Sequence, residues 1–317
     1  MCDQWKTAPD ILSQELSNRE WSSFIDSASR MHAAVIVVTG GEPLLRADIF
    51  DIIKYIHKKG IASHVCTNGT LLNELIVNRI KDSELNTISI SLDSYCAEVH
   101  NQIRGVDCFD SVIRGIKLLR RTMPEIKIGI NYLISKQNFR NMHRMIPFAE
   151  KLKVNQIKFD PIRTNLMYRK KNLSSFGDLL FNKDDLPELY LEIEKLLHAV
   201  SKTKLLTTSS TFMKGIINLF KGHPYRMSCY AGYISCAIDA LGLVSPCDNF
   251  DGKENLRDKP LEEIWKSPAF QHLREKVHNC SSKCWDTTHT ELNIRCSGWR
   301  FMKQFGQILK EIHFYFS

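Results

Sequence analysis

The stretch Ala33-Ala34-Val35-Ile36-Val37-Val38-Thr39-Gly40-Gly41-Glu42-Pro43 decides the fold class. Ala33 to Val38 is a short continuous apolar run, β-branched at its centre. That is how a strand buried on both faces reads. The two glycines that end it open backbone shapes closed to other residues and let a ligand come close to the main chain. Pro43 stiffens the exit. Such a turn serves equally as a tight strand-to-helix connection or as a ligand cradle, in which backbone groups bind an ammonium and Glu42 adds opposite charge. It is not a phosphate loop, because no Gly-x-x-x-x-Gly-Lys-Ser/Thr pattern is present.

Upstream, residues 17 to 31 read as a helix, with Ser17 or Asn18 as cap and Trp21, Phe24, Ile25 and Ala28 on one face. Downstream, residues 48 to 59 form a second helix, stopped by Gly60. Strands follow at 61–66, 87–92, 127–134 and 156–159, with helices at 72–81, 109–121 and 139–152 between them. This alternation argues a parallel sheet with crossover helices. Glu42, Asn68, Asp93, Asn131 and Asp160 fall at or after strand ends. Active sites form at that carboxyl end in closed (β/α) barrels and in open doubly wound sheets alike, so the pattern leaves closure open. Ser89, Ser91 and Asp93 share a face by the two-residue period of a strand. Arg104 suits a carboxylate by bidentate pairing. The pattern breaks after Phe159; a helix covers 184–202, and a boundary falls between 205 and 224.

The apolar and charged fractions, 43% and 25%, are those of a folded globular chain, and 317 residues suffice for more than one domain. No apolar run approaches the ~20 residues that span a bilayer, and no signal peptide is evident. No membrane association is expected, and the expected location is cytoplasmic. The formal charge of +8 mildly favours anionic partners. It is scattered, with one tight cluster at Arg169-Lys170-Lys171, so a solvated basic surface is expected rather than nucleic-acid binding.

Six of the ten cysteines crowd the last third: Cys229, Cys236, Cys247, Cys280, Cys284 and Cys296. In a cytosolic chain such crowding indicates metal or cluster ligation before disulfides. Residues 238 to 244 read as two short strands with a turn at Gly242, a hairpin that brings Cys229 and Cys247 together. Cys280-x-x-x-Cys284 adds a local pair. Four soft ligands suit structural zinc or an iron-sulfur cluster, and spacing does not choose between them.

Several short motifs stand in order along the first half: Cys2-Asp3-Gln4-Trp5, Gly40-Gly41-Glu42-Pro43, Thr67-Asn68-Gly69, Ser89-Ile90-Ser91-Leu92-Asp93 and the stretch from His100 to Gly105. Together they resemble the radical S-adenosylmethionine enzymes over residues 1 to 165. That resemblance implies a partial (β/α)6 barrel and a [4Fe-4S] cluster held by a Cys-x-x-x-Cys-x-x-Cys motif. The open iron of that cluster would chelate S-adenosylmethionine, whose reductive cleavage yields a 5′-deoxyadenosyl radical that takes a substrate hydrogen. Carried over, Cys2 is the third cluster cysteine. Gly40, Gly41 and Glu42 contact the cofactor's amino group. Ser91 and Asp93 lie near its ribose, Arg104 near its carboxylate, and Asn131 in the pocket. Cys229, Gly242, Cys247, residues 255 to 265, Cys280 and Cys284 resemble the auxiliary-cluster (SPASM/twitch-like) module, which implies one [4Fe-4S] cluster with Cys296 as a possible further ligand.

The first two cysteines of the core motif have no counterpart here. Their positions, with the first barrel strand, are expected before Met1. The core cluster and S-adenosylmethionine are therefore expected only in a longer form, and no catalytic residue is assigned to this chain. The implied organisation is a core at 1–165, a helical connector at 166–222, an auxiliary-cluster α+β domain at 223–300 and a tail at 301–317. The implied function is hydrogen abstraction from a peptide, cofactor-precursor or small-metabolite substrate, inactive in this form, with flavodoxin or ferredoxin as reductant. The alternative is a non-catalytic iron-sulfur or zinc protein retaining only the C-terminal metal site.

Overall fold

The computed structural model describes residues 13–162, 177–223, 227–281, 284–297 and 299–316. Cys2 and the Arg169-Lys170-Lys171 cluster lie outside them. The first body is a six-stranded, all-parallel sheet whose strands sit in sequence order. The chain runs α1 (Asn18–Arg30), β1 (Val35–Val38), α2 (Ile49–Lys58), β2 (Ala62–Thr67), α3 (Glu74–Asp82) and β3 (Thr87–Ser91). It continues with α4 (Ala97–Arg104), α5 (Phe109–Thr122), β4 (Lys127–Ile134), α6 (Met145–Lys151), β5 (Gln156–Pro161), α7 (Leu186–Val200), β6 (Leu206–Thr207) and α8 (Ser210–Phe220).

Local chemistry sets the helix ends. Ser17 caps α1 in a reciprocal capping box with Glu20. Gly105, left-handed at φ 73°, closes α4. The single helix expected over 139–152 is divided. A 3-10 turn at Met142–Arg144 precedes α6, and Pro147 occupies the third position of α6, where a missing N–H costs no intrahelical bond.

Two expectations are corrected. β1 is not buried on both faces: it is an edge of the sheet among the described residues, and Val37 is 51% exposed. β6 extends the parallel sheet into the stretch expected to be a helical connector, with Leu206 beside Gln156. Two residues of strand are too few to carry a period.

The two faces of the sheet differ. Ile88, Ile90, Ile128, Ile130, Ile157 and Phe159 have no exposure and form one core with the crossover helices. Burying each such side chain contributes about 1.5–3 kcal/mol. The other face carries His64, Cys66, Ser89, Ser91, Asn131, Gln156, Lys158 and Asp160, and it is concave. Asn131 Nδ2 on β4 reaches Cys66 Sγ on β2 at 3.9 Å, past the intervening β3. Strands lie ~4.8 Å apart, so a flat sheet would hold those two side chains about 10 Å apart.

The second body begins with an antiparallel sheet of β7 (Ala237–Ile238), β8 (Leu243–Ser245) and β9 (Glu254–Asn255). The hairpin expected around Gly242 is the turn between β7 and β8, where Asp239 Oδ1 accepts from the N–H groups of Leu241 and Leu243. Helices α9 (Leu261–Lys266) and α10 (Pro268–His278) cover it. Val244, Leu261, Ile264, Phe270 and Leu273 form its core, with Phe24 and Met31 packed against them, so α1 is its seat. Helix α11 (His289–Cys296) then leads into α12 (Trp299–Phe316), which returns to the concave face of the parallel sheet. The expected tail is thus an 18-residue helix.

Candidate functional site

Three sets of residues, most of them marked in the sequence, lie toward the carboxyl ends of β1 to β5. In the first, the Glu42 carboxylate ties two strand-end turns together. Its Oε1 accepts from Thr67 Oγ1 at 2.7 Å, and its Oε2 accepts from Asn68 N at 2.7 Å. Thr67 Oγ1 in turn accepts from Gly69 N at 3.0 Å. The Gly40-Gly41 backbone beside it is open, with no atom within 4 Å of where a Cβ would stand on either residue. Gly40 also sits at φ 137°, which side chains rarely adopt. This is a main-chain edge that a ligand amine can approach, with a half-buried carboxylate next to it.

In the second set, Asp93 is fully buried and each carboxylate oxygen has a protein partner. Oδ1 accepts from Leu133 N at 3.0 Å, and Oδ2 stands 2.6 Å from Nε of Arg104. The pair braces the β3 and β4 ends. Asn138 Nδ2 adds a 2.8 Å bond to the Asp93 carbonyl. The resemblance places Asp93 and Arg104 near the cofactor's ribose and carboxylate; the structure brings the two side chains together as an ion pair.

The third set is a lateral row. Ser91, Asn131 and Lys158 are register partners across β3, β4 and β5. All three are half-buried while their strand neighbours Ile90, Ile130, Ile157 and Phe159 have no exposure. The row is therefore partly accessible, unlike the apolar face. Lys158 was not marked in the sequence, although its two-residue offset from Asp160 was a usable signal. Its Nζ donates to Tyr315 Oη of α12 at 3.1 Å.

The cysteine-rich body places Cys229, Cys247, Cys280 and Cys284 around one cavity of about 90 Å³. Burial pushes the Cys247 thiol up to about 12, and the neighbouring Cys284 and Cys229 add to the shift. Cys296, at the end of α11, is exposed and does not line the cavity. Cys236 does not line it either; it packs with the core of the small sheet, and burial raises its pKa to about 11. Among the described residues no three Cys, His, Asp or Glu side chains converge on the point a single ion would occupy. Four thiols spaced around a void fit a polynuclear cluster. Asn249, Asp286, His289 and Asn293 are among the other lining residues, and sequence reasoning did not select them. Asn249 Nδ2 donates to Cys284 Sγ at 2.7 Å, and Asp286 Oδ1 accepts from the His289 backbone at 2.7 Å.

The two regions are connected. Thr287 Oγ1 donates to Asp160 Oδ2 at 3.4 Å, joining the segment after Cys284 to the end of β5. Three residues of extended chain span about 10 Å. The cysteine cavity thus lies within that reach of the strand-end site.

The match to known proteins follows the same division. Residues 1–148 match the radical SAM superfamily, and residues 229–286 match SPASM, an iron-sulfur cluster-binding domain. Residues 1–148 thus carry a radical S-adenosylmethionine superfamily domain, and residues 229–286 a SPASM cluster-binding domain.

Its relatives include an AdoMet-dependent heme synthase of Methanosarcina barkeri, 28% identical over 82% of this chain and 76% of that protein. They also include the Fe-coproporphyrin III synthase of the same organism, 27% identical over 90% of this chain and 70% of that one. Mycofactocin maturase MftC of Mycobacterium tuberculosis is 27% identical over 82% of this chain, which spans 66% of it. Among solved structures, Streptococcus suis SuiB bound to precursor peptide SuiA gives a TM-score of 0.62 at 19% identity, over 81% of this chain and 59% of SuiB. Native anSMEcpe with bound AdoMet gives 0.61 at 14% identity, over 94% of this chain and 88% of that one. At these identities the structures establish a shared fold.

Proposed function

We propose that this chain is the body of a radical S-adenosylmethionine maturase that modifies a peptide or a cofactor precursor. The observation that carries this reading is the tether between Asp160 and Thr287, which sets a four-cysteine cavity beside the polar ends of a parallel sheet. The names of the relatives support the substrate class: two act in heme or coproporphyrin synthesis, one matures mycofactocin, and SuiB binds a precursor peptide.

In this reading Cys229, Cys247, Cys280 and Cys284 hold an auxiliary [4Fe-4S] cluster. Four protein thiolates leave no open iron, which assigns that cluster to electron transfer or structure. The Gly40-Gly41 edge and Glu42 receive the methionyl amine of S-adenosylmethionine. Ser91 lies near its ribose, and Asn131 lines the same pocket. Asp93 and Arg104 hold the strand ends in place. When bound with a reduced core cluster, S-adenosylmethionine supplies a 5′-deoxyadenosyl radical for hydrogen abstraction. The protein's part is to orient the reacting groups and exclude water. Flavodoxin or ferredoxin supplies the electron.

The four thiols around the cavity are the cluster ligands this reading requires. Anaerobic reconstitution tests this directly, with about four irons per chain expected. Zinc without iron would overturn the cluster assignment.

A further inference from the structure

We propose that the cavity at the amino ends of β4, β5 and β6, beneath α12, binds a small molecule that carries two or more phosphate groups. It lies at the opposite end of the sheet from the strand-end site and goes beyond the function proposed above.

The cavity holds about 400 Å³, within the ~300–1,000 Å³ of small-molecule sites. One wall comes from the sheet: Lys127 is the first residue of β4, Asn155 directly precedes β5, and Lys204 stands two residues before β6. Lys310 and Phe314 of α12 contribute to the other wall. A 2.8 Å bond from Gln307 Nε2 to the Thr207 carbonyl holds that helix beside β6. Leu206 and Phe314 are buried and give the cavity an apolar floor.

The fold thus draws three ammonium groups from distant parts of the chain to one concavity. Among the described residues no acidic side chain lines it, and none of the three lysines has an ion pair or a hydrogen bond. The acidic neighbours are turned to other tasks. Glu150 accepts from Thr203, and Glu311 of α12 pairs with Arg295. A fourth cation stands behind the sheet wall. Arg120 donates to Asn155 Oδ1 at 2.8 Å, and its other bonds go to the Pro124 and Ile126 carbonyls. Its Nε is buried without a hydrogen-bond partner. Asn155 Oδ1 also accepts from Ile128 N at 2.9 Å, which fixes the amide and leaves its Nδ2 without a protein partner.

Like charges held together repel, and an anion between them reverses the sign of that energy. Helix α12 ends beside the cavity, and its C-terminus carries about −0.5 charge, which three ammonium groups outweigh. The lining cations are all lysines. Separate ammonium groups act as compact point charges that suit a tetrahedral phosphate, whereas a planar carboxylate matches the arginine fork. One phosphate group carries about −1.5 to −2, so three ammonium groups match more than one. A ligand held by Lys127, Lys204 and Lys310 also bridges the sheet and α12, and so pins the C-terminal helix in place.

The test titrates the 317-residue chain with inorganic pyrophosphate at low salt by isothermal calorimetry, with citrate as a polycarboxylate control. Pyrophosphate is expected to bind saturably with a Kd of roughly 0.1 mM and to raise the melting temperature. Citrate is expected to bind about tenfold more weakly. Lys127→Gln and Lys310→Gln should each weaken pyrophosphate about fivefold. Lys54→Gln on α2 and Lys81→Gln on α3, exposed lysines outside the cavity, should leave the affinity unchanged. If Lys127→Gln or Lys310→Gln does not fold, the exposed Lys204→Gln carries the same expectation. Non-saturable binding, or equal losses in the cavity and control variants, would reduce the effect to general attraction by a basic surface and overturn the site. Citrate binding as tight as pyrophosphate would overturn the phosphate assignment. Displacement of pyrophosphate by a lower concentration of a single-stranded oligonucleotide would overturn the small-molecule assignment. The probe needs neither cluster nor cofactor, so its failure leaves the function proposed above standing.

Discussion

Trp285 lies so close to Gly215 of α8 that a Cβ on residue 215 would stand 1.8 Å from Cζ2 of the indole. The ring also stacks on Phe212, centroids 5.5 Å apart, and Nε1 donates to the Phe212 carbonyl at 2.9 Å. Trp285 directly follows Cys284, so helix α8 of the first body fixes the position of a cluster ligand in the second. Gly215→Ala should gain about 1 kcal/mol in helix propensity and lose more than that to overpacking against a rigid ring, which costs ~1–3 kcal/mol or above. The expected outcome is a lower melting temperature together with reduced iron retention after reconstitution. An unchanged melting temperature would show that α8 and the indole separate freely.

The ion pair between Asp93 and Arg104 carries a second prediction. Asp93 has no exposure and the Arg104 side chain has 19%, so removing one partner leaves a charge stranded in the interior. Asp93→Ala should cost about 3–5 kcal/mol. It also releases the N–H of Leu133, which bonds the same carboxylate. Urea unfolding of Asp93→Ala, Arg104→Ala and the double variant measures the coupling. Additive losses would mean that the two side chains stabilise the strand ends independently.

The parallel sheet was legible because its strands are short apolar runs separated by amphipathic helices, and β4 falls on the residues read from the sequence. The strand-end motifs were legible because they follow those runs. What joins them was not. The Asp93–Arg104 pair depends on α4 turning back over β3, and the bond from Glu42 to Asn68 spans a whole crossover connection. The four lining cysteines were separable from Cys296 only once α11 had placed that residue on the surface. Lys158 went unmarked because a lysine between Ile157 and Phe159 reads as a solvated strand position. The curl of the sheet and the return of α12 are what enclose it.

Acid should loosen the sheet through two buried histidines. Burial lowers His64 to about 3, and it lowers His100 to about 4 against the opposing pull of Asp93. His100 Nδ1 accepts from Asp93 N at 3.1 Å, an acceptor that protonation removes. Both folded values lie below the ~6.5 of an unfolded histidine, so between them the unfolded chain binds more protons than the folded one. Their contribution is complete above pH ~6.5 and is lost as pH falls toward 4 and then 3, by about 1.4 kcal/mol per pH unit for each histidine as an upper bound. Urea midpoints should fall steeply from pH 6.5 to pH 4.5. His64→Gln and His100→Gln should each flatten part of that slope, and a slope unchanged in both variants would place the acid sensitivity elsewhere.

The cysteine cavity separates ligands from bystanders. Cys229, Cys247, Cys280 and Cys284 line it, whereas Cys296 is exposed at a helix end and Cys236 packs among apolar residues. Serine is close in size to cysteine but is a poor ligand for iron in a thiolate site. Cys247→Ser and Cys284→Ser should therefore reduce reconstituted iron from about four per chain to well below one, with loss of the visible charge-transfer absorbance. Cys296→Ser should retain full iron. Cys236→Ser should also retain it, with a lower melting temperature from placing a hydroxyl among buried apolar side chains at a cost of about 1–3 kcal/mol. Chelation of iron from the wild type should lower its melting temperature as well, because a ligand that binds only the folded state stabilises it. Full iron in Cys247→Ser, or its loss in Cys296→Ser, would redraw the ligand set.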